Sequence, residues 1–172
     1  MTRPPGLPPP GLPRDRDAAG RPRNARPRDA LGRPLPRTAG PGPGIPADEA
    51  ARPPEAALAA AQQLIDDGQP FRAHEVLEAS WKAAPASERE MWRGLAQVAV
   101  GLTHAQRGNC RGAIALLRRG SAAVAGHPAA RHGIDAEGVA RYAASLANQI
   151  DREGLSGLTA ASLTIRLTRP GP

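Results

Sequence analysis

From Glu55 onward, apolar residues recur three and four positions apart, the spacing that gathers them on one side of an α-helix. PPEAALAAAQQLIDDG (residues 53–68) has proline at its start, Ala and Leu through its middle and Gly68 as a stop, which predicts a first helix. A short Gln69-Pro70 link leads to a second, from about Phe71 to Lys82, closed by the loop around Pro85. SERE (Ser87 to Glu90) has the spacing of a capping box and opens a long third helix through Arg107. Gly108 ends that helix and Asn109 caps a fourth. Asp135 caps a fifth, in which Val139, Tyr142, Ala143, Leu146 and Ile150 keep helical spacing. The final SLTIRLTRP alternates Leu163, Ile165 and Leu167 with polar residues, an extended strip laid on the helices. One such strip cannot make a sheet. The fold class that follows is all-α, an antiparallel multihelical array of about five helices with short connections.

Before Glu55 the pattern is absent. Pro, Gly and Arg dominate, and large apolar residues are confined to Leu7, Leu12, Leu31, Leu35 and Ile45, too few to offset the entropy of ordering the chain. Residues 1–53 are therefore expected to form an arm largely without regular structure, 54–154 a helical domain and 155–172 an extended strip. Arg-Pro recurs in the arm, in GRPRN (Gly20 to Asn24), ARPRD (Ala25 to Asp29) and GRPLPR (Gly32 to Arg37), a composition that favours polyproline II. The arm reads either as an extended linker or as a strap that lies along the domain and offers guanidinium groups to its acidic residues.

The formal charge of +7 resides mainly there, since ten Arg against five acids precede Glu55. Such a tail attracts acidic surfaces, but it has no aromatic residues to stack on bases, so specific nucleic-acid recognition is not expected. No run approaches the roughly 18 apolar residues of a membrane span, and the N-terminus lacks the apolar stretch of a secretory signal. The proline density forbids the amphipathic helix of a transit peptide. The lone Cys110 excludes an internal disulfide and a multi-cysteine zinc site, and the expected location is cytoplasmic.

FRAHEVLEASW, residues 71–81, places polar groups where a packed helix would carry Leu or Ala. At 100° per residue Phe71, His74, Leu77, Glu78 and Trp81 share one stripe, with Glu75 on its flank. His74 and Glu78, four apart, can meet. The third helix is apolar nearly all round, with Gly94 and Gly101 allowing close approach of a neighbour, yet it carries Arg93, Gln97 and His104 on one side. A short loop makes helices two and three antiparallel neighbours, so His74, Glu75, Glu78, Gln97 and His104 are candidate catalytic groups. Trp81, Arg93, Arg107 and Asn109 are candidate binding groups. His74, Glu78 and His104 form the candidate set if a metal is held. The alternative is a closed hydrogen-bond network that fixes the register of two helices. No cofactor is identified, and the partner is an undefined small molecule or protein. Cys110 and Trp92 read as core, and His127 and His132, beside Pro128 and Gly133, read as solvated.

HEVLE is similar to the HExxH helix of metalloproteases, but Glu78 stands at the second histidine and no further ligand motif follows. FRAHEVLEASWK joined to WRGLAQVAVGLTHAQRGNCRGAIALLRRG resembles the domain of unknown function 309 family of small, mostly bacterial proteins, over about Ala57 to Val124. The resemblance implies a multihelical fold and puts His74, Glu75, Glu78, Trp81, Gln97, His104, Gly108 and Asn109 in the family signature. It also implies an Arg-Pro arm of the kind that accompanies the domain in high-GC bacteria, and it supplies no reaction. Two function classes remain open: an acid/base or small-molecule site between helices two and three, or a non-catalytic scaffold loosely similar to tetratricopeptide helix pairs, although no 34-residue period is present.

Overall fold

The computed structural model describes residues 29, 32, 33, 35, 36, 52–127 and 131–169. The polyproline reading of the arm lies outside these, apart from Asp29, Gly32, Arg33, Leu35 and Pro36. α1 (Pro54–Asp66) and α2 (Pro70–Ala83) both begin on proline, whose missing N–H has no partner to lose in a first turn. α3 (Ala86–Gln106), α4 (Cys110–Ala125) and α5 (Ala136–Glu153) follow. The expected caps form: Asn109 Oδ1 accepts the Gly112 N–H at 2.9 Å and Asp135 Oδ1 the Gly138 N–H at 3.0 Å.

One start differs from the sequence reading. The SERE capping box is not made, because Pro85 takes the N-cap place in extended conformation and its carbonyl accepts the N–H groups of Glu88 and Arg89. Ser87 then falls inside the first turn, and Glu90 turns to Arg93 instead, at 2.6 Å.

Each helix packs on the next in chain order. Gln106, at the end of α3, donates its side-chain amide to the Gly68 carbonyl just before α2, so the two helices run antiparallel. α3 is the centre, burying Met91, Trp92, Leu95, Ala96, Val98, Ala99 and Leu102. Its contact with α4 is backbone to backbone. A Cβ on Gly94 would stand 3.1 Å from the Gly120 carbonyl oxygen, and one on Gly120 would stand 2.8 Å from that of Gly94.

Among the described residues the remaining regular structure is a pair of 3-10 turns, Arg131–Gly133 and Ala161–Leu163, and one antiparallel bridge between Ile134 and Thr168. The alternating C-terminal strip buries Ile165 and Leu167 as its pattern predicts. It needs backbone partners, and a side chain supplies two of them. Gln62 of α1 donates Nε2 to the Ile165 carbonyl at 2.9 Å and accepts the Leu167 N–H at 2.8 Å, the donor and acceptor pair that a neighbouring strand would present. On the other side Leu167 O accepts the Asp135 N–H, and the Tyr142 hydroxyl donates to the Ser162 carbonyl at 2.6 Å. Burial pushes the Tyr142 phenol well above its ordinary range, which keeps it a donor.

Gln62→Ala leaves a backbone donor and acceptor of the strip without partners. It is expected to lower unfolding free energy by about 1–3 kcal/mol in urea titrations followed by circular dichroism.

Candidate functional site

α2 presents its core face at Ala73, Val76, Leu77 and Ser80, which puts Phe71, His74, Glu75, Glu78 and Trp81 on the half-buried shoulder of the helix. His74 Nε2 lies 3.7 Å from Glu78 Oε2, and the other oxygen of Glu78 lies 3.2 Å from Lys82 Nζ. The expected pair thus meets, as an ion-pair contact beyond hydrogen-bond length. Phe71 tilts against the His74 ring, 6.0 Å between centroids, and carries the Arg107 guanidinium 5.6 Å from its own centroid. Arg107 and Phe71 therefore join the end of α3 to the start of α2.

On α3, Arg93 pairs with Glu90 within its own helix, and Gln97 keeps Oε1 out of water with no hydrogen-bond partner among the described residues. His104 is committed elsewhere. Its Nδ1 stands 2.8 Å from Asn109 Nδ2, and since an amide NH₂ only donates, Nδ1 accepts and the ring is neutral with its proton on Nε2. Burial, helped by the Arg107 charge, pushes the His104 pKa below its ordinary value and favours that form. Gly112 makes room for the arrangement, because a Cβ there would stand 2.6 Å from both His104 Nδ1 and Asn109 Nδ2. Gly108 turns the chain at φ 78°. The spacing His104, Gly108, Asn109, Gly112 is thereby accounted for as the α3–α4 corner.

The candidate metal set of His74, Glu78 and His104 does not assemble: among the described residues no three His, Cys, Asp or Glu side chains form a group able to hold a metal ion.

A second constellation escaped the sequence reading. His132, expected to be solvated, sits at φ 57° with its side chain 23% exposed, clamped between two carboxylates. Its Nδ1 is 3.1 Å from Glu55 Oε1 on α1 and its Nε2 is 3.0 Å from Glu88 Oε2 on α3. Arg131 Nη1 donates to the other Glu88 oxygen at 3.0 Å, and the Glu88 side chain is only 8% exposed. His127, also read as solvated, is half-buried and donates Nδ1 to the Ala123 carbonyl at 3.0 Å. The missed signal was Glu88 itself: with Trp92 and Leu95 it lies on the buried stripe of α3, where a carboxylate requires a cationic partner. Two open pockets of about 390 and 350 Å³ flank the clamp, one lined by Glu55, Gln62, Asp66 and His132, the other by Pro53, Ala84, Glu88 and Trp92.

Burial alone would raise the Glu88 carboxyl, but hydrogen bonds from His132, Arg131 and Trp92 outweigh it and hold it low. Glu55 is held low by its backbone hydrogen bond and by His132. Burial disfavours the His132 cation, yet the two carboxylates prevail and raise its pKa.

Residues 58–116 match the model of the family described as Domain of unknown function (DUF309). This segment belongs to that family. The DUF309 segment runs from α1 into α4, so it contains His74, Glu75, Glu78, Gln97, His104 and Asn109, while Glu55 and His132 lie outside it. No curated protein and no solved structure matches the chain. Among the described residues no helix is long and apolar enough to cross a membrane.

The clamp has a defined pH window. Depressed carboxylates stabilise above their ordinary value of 4.5 and lose that contribution as pH falls through their lowered values; raised His132 stabilises below 6.5 and loses its contribution as pH rises through its folded value. Both contributions are present between 4.5 and 6.5. His132→Ala is expected to cost about 1–3 kcal/mol near pH 5.5, because buried Glu88 loses a charged donor, and markedly less near pH 8. Thermal melts of both proteins across this range check it, and the comparison cancels the opposite titration of His104. Asn109→Ala is expected to cost about 0.5–2 kcal/mol through loss of the α4 cap.

Proposed function

We propose that this protein is a non-catalytic helical binding module whose α2/α3 face seats an extended arginine- and proline-bearing segment, filled here by the chain's own arm. The observation that carries the reading is Gly32. This residue of the arm is buried, and a Cβ on it would collide with both the Phe71 ring and the Arg107 guanidinium. The face beside it carries Glu75 and Glu78, which suits an arginine-rich strap.

The acid/base reading draws less support. A pre-organised base needs its proton partner within hydrogen-bond reach. His74 and Glu78 stand 3.7 Å apart, Glu78 is shared with Lys82, and His104 already serves the α4 cap.

A chain carrying Gly20→Val with Gly32→Val, which alters the glycine in both copies of the arm's Asp-Ala-x-Gly-Arg sequence, is expected to release the arm and open the face to a ligand in trans. In calorimetry, a synthetic peptide of residues 27–38 is expected to bind this double variant at least about tenfold more tightly than the wild type, whose seat is filled at high effective concentration. Adding Phe71→Ala to the double variant is expected to abolish the gain. Equal, negligible binding to all three proteins, with helix content unchanged, overturns the reading.

A further inference from the structure

At this seat Asp29, Gly32 and Arg33 of the arm are tied to one another by three hydrogen bonds. Asp29 Oδ1 accepts the Arg33 N–H at 2.7 Å, the Asp29 carbonyl accepts the Gly32 N–H at 2.8 Å, and the Asp29 N–H donates to the Arg33 carbonyl at 3.0 Å. Gly32 adopts φ 73°, where a side chain is strained, and it lies where a side chain would meet Phe71 and Arg107. The requirement is therefore Asp, then Gly three residues on, then a residue with a backbone N–H to donate, which excludes proline.

The arm meets that requirement twice. Arg16-Asp17-Ala18-Ala19-Gly20-Arg21-Pro22 and Arg28-Asp29-Ala30-Leu31-Gly32-Arg33-Pro34 agree at six of seven positions, twelve residues apart. The Arg-Pro pair between them, Arg26-Pro27, is preceded by Ala25, with Pro22 where the aspartate would be, so it lacks both essentials.

We propose that the α2/α3 seat recognises R-D-A-x-G-R-P as a unit and that the arm offers it two registers, Asp29–Arg33 as the occupant seen here and Asp17–Arg21 as the alternative from the same chain. The inference rests on the seat reading above. The shorter tether to α1 favours the nearer copy. The longer tether is a small handicap, because loop-closure entropy grows only with the logarithm of length. A register exchange of this kind changes how much of the arm projects beyond the seat while leaving the seat occupied.

Trypsin reads the register, since it cuts Arg28–Asp29 and Arg16–Asp17 but not the Arg-Pro bonds. In the full-length wild type, Arg28–Asp29 is expected to be cut about tenfold more slowly than Arg16–Asp17, following the population of the open form. Gly32→Val is expected to reverse that ratio, and Gly20→Val with Gly32→Val to expose both bonds. Circular dichroism melts confirm that the helices remain folded. If Gly32→Val alone exposes both bonds as fully as the double variant, the second register is overturned while the seat stands. If Gly32→Val leaves Arg28–Asp29 as protected as in the wild type, the seat reading fails, and the register proposal with it.

Discussion

The structure depends on α3 being packed along both flanks. α2 lies on one side and α4 on the other, and on the α4 side the approach is close enough that glycine carbonyls occupy the space a Cβ would need. A helix enclosed in this way has a narrow strip left for polar groups. Arg93, Gln97, His104 and Arg107 occupy it, four, seven and three residues apart. Arg107 meets the shoulder of α2 through the Phe71 ring.

Two polar systems use α3 in different ways. Near its C-terminal end, His104 and Asn109 convert a helix end into a corner, with a neutral imidazole feeding one cap. Near its N-terminal end, Glu88 is a buried carboxylate that obliges Arg131 and His132 to fold back over α1 and α3. Leaving that carboxylate unpaired would be costly, and this requirement explains how a histidine is held at positive φ. The clamp lies at the opposite end of α3 from Arg107, against which Gly32 packs.

The helices were legible because their signals are local: proline starts, the Asn109 and Asp135 caps, glycine stops and periodic apolar residues. The His74–Glu78 meeting was legible for the same reason, being set by helical pitch alone. What was lost depends on distant chain. Ser87 matched a capping box, but the Pro85 conformation two residues earlier decided where α3 begins. Glu55, Glu88 and His132 come together from three elements separated by up to 77 positions, and no spacing rule links them. The role of His104 turned on a hydrogen bond across the helix end, which composition and face do not reveal. The seat for Gly32 needed the juxtaposition of Phe71 and Arg107, which the sequence had kept in separate helices.

The Gln62 amide also bears on the order of assembly. α1 is translated early, but the strip that its side chain holds lies 103 to 105 residues further along. At a ribosomal pace of about 5–20 residues per second, α1 waits some seconds for its cover. During that interval its Ala-rich flank is protected only by α2 and by whatever the nascent chain meets. Synthesis therefore withholds the Gln62 partners until nearly all of the helical domain has been made.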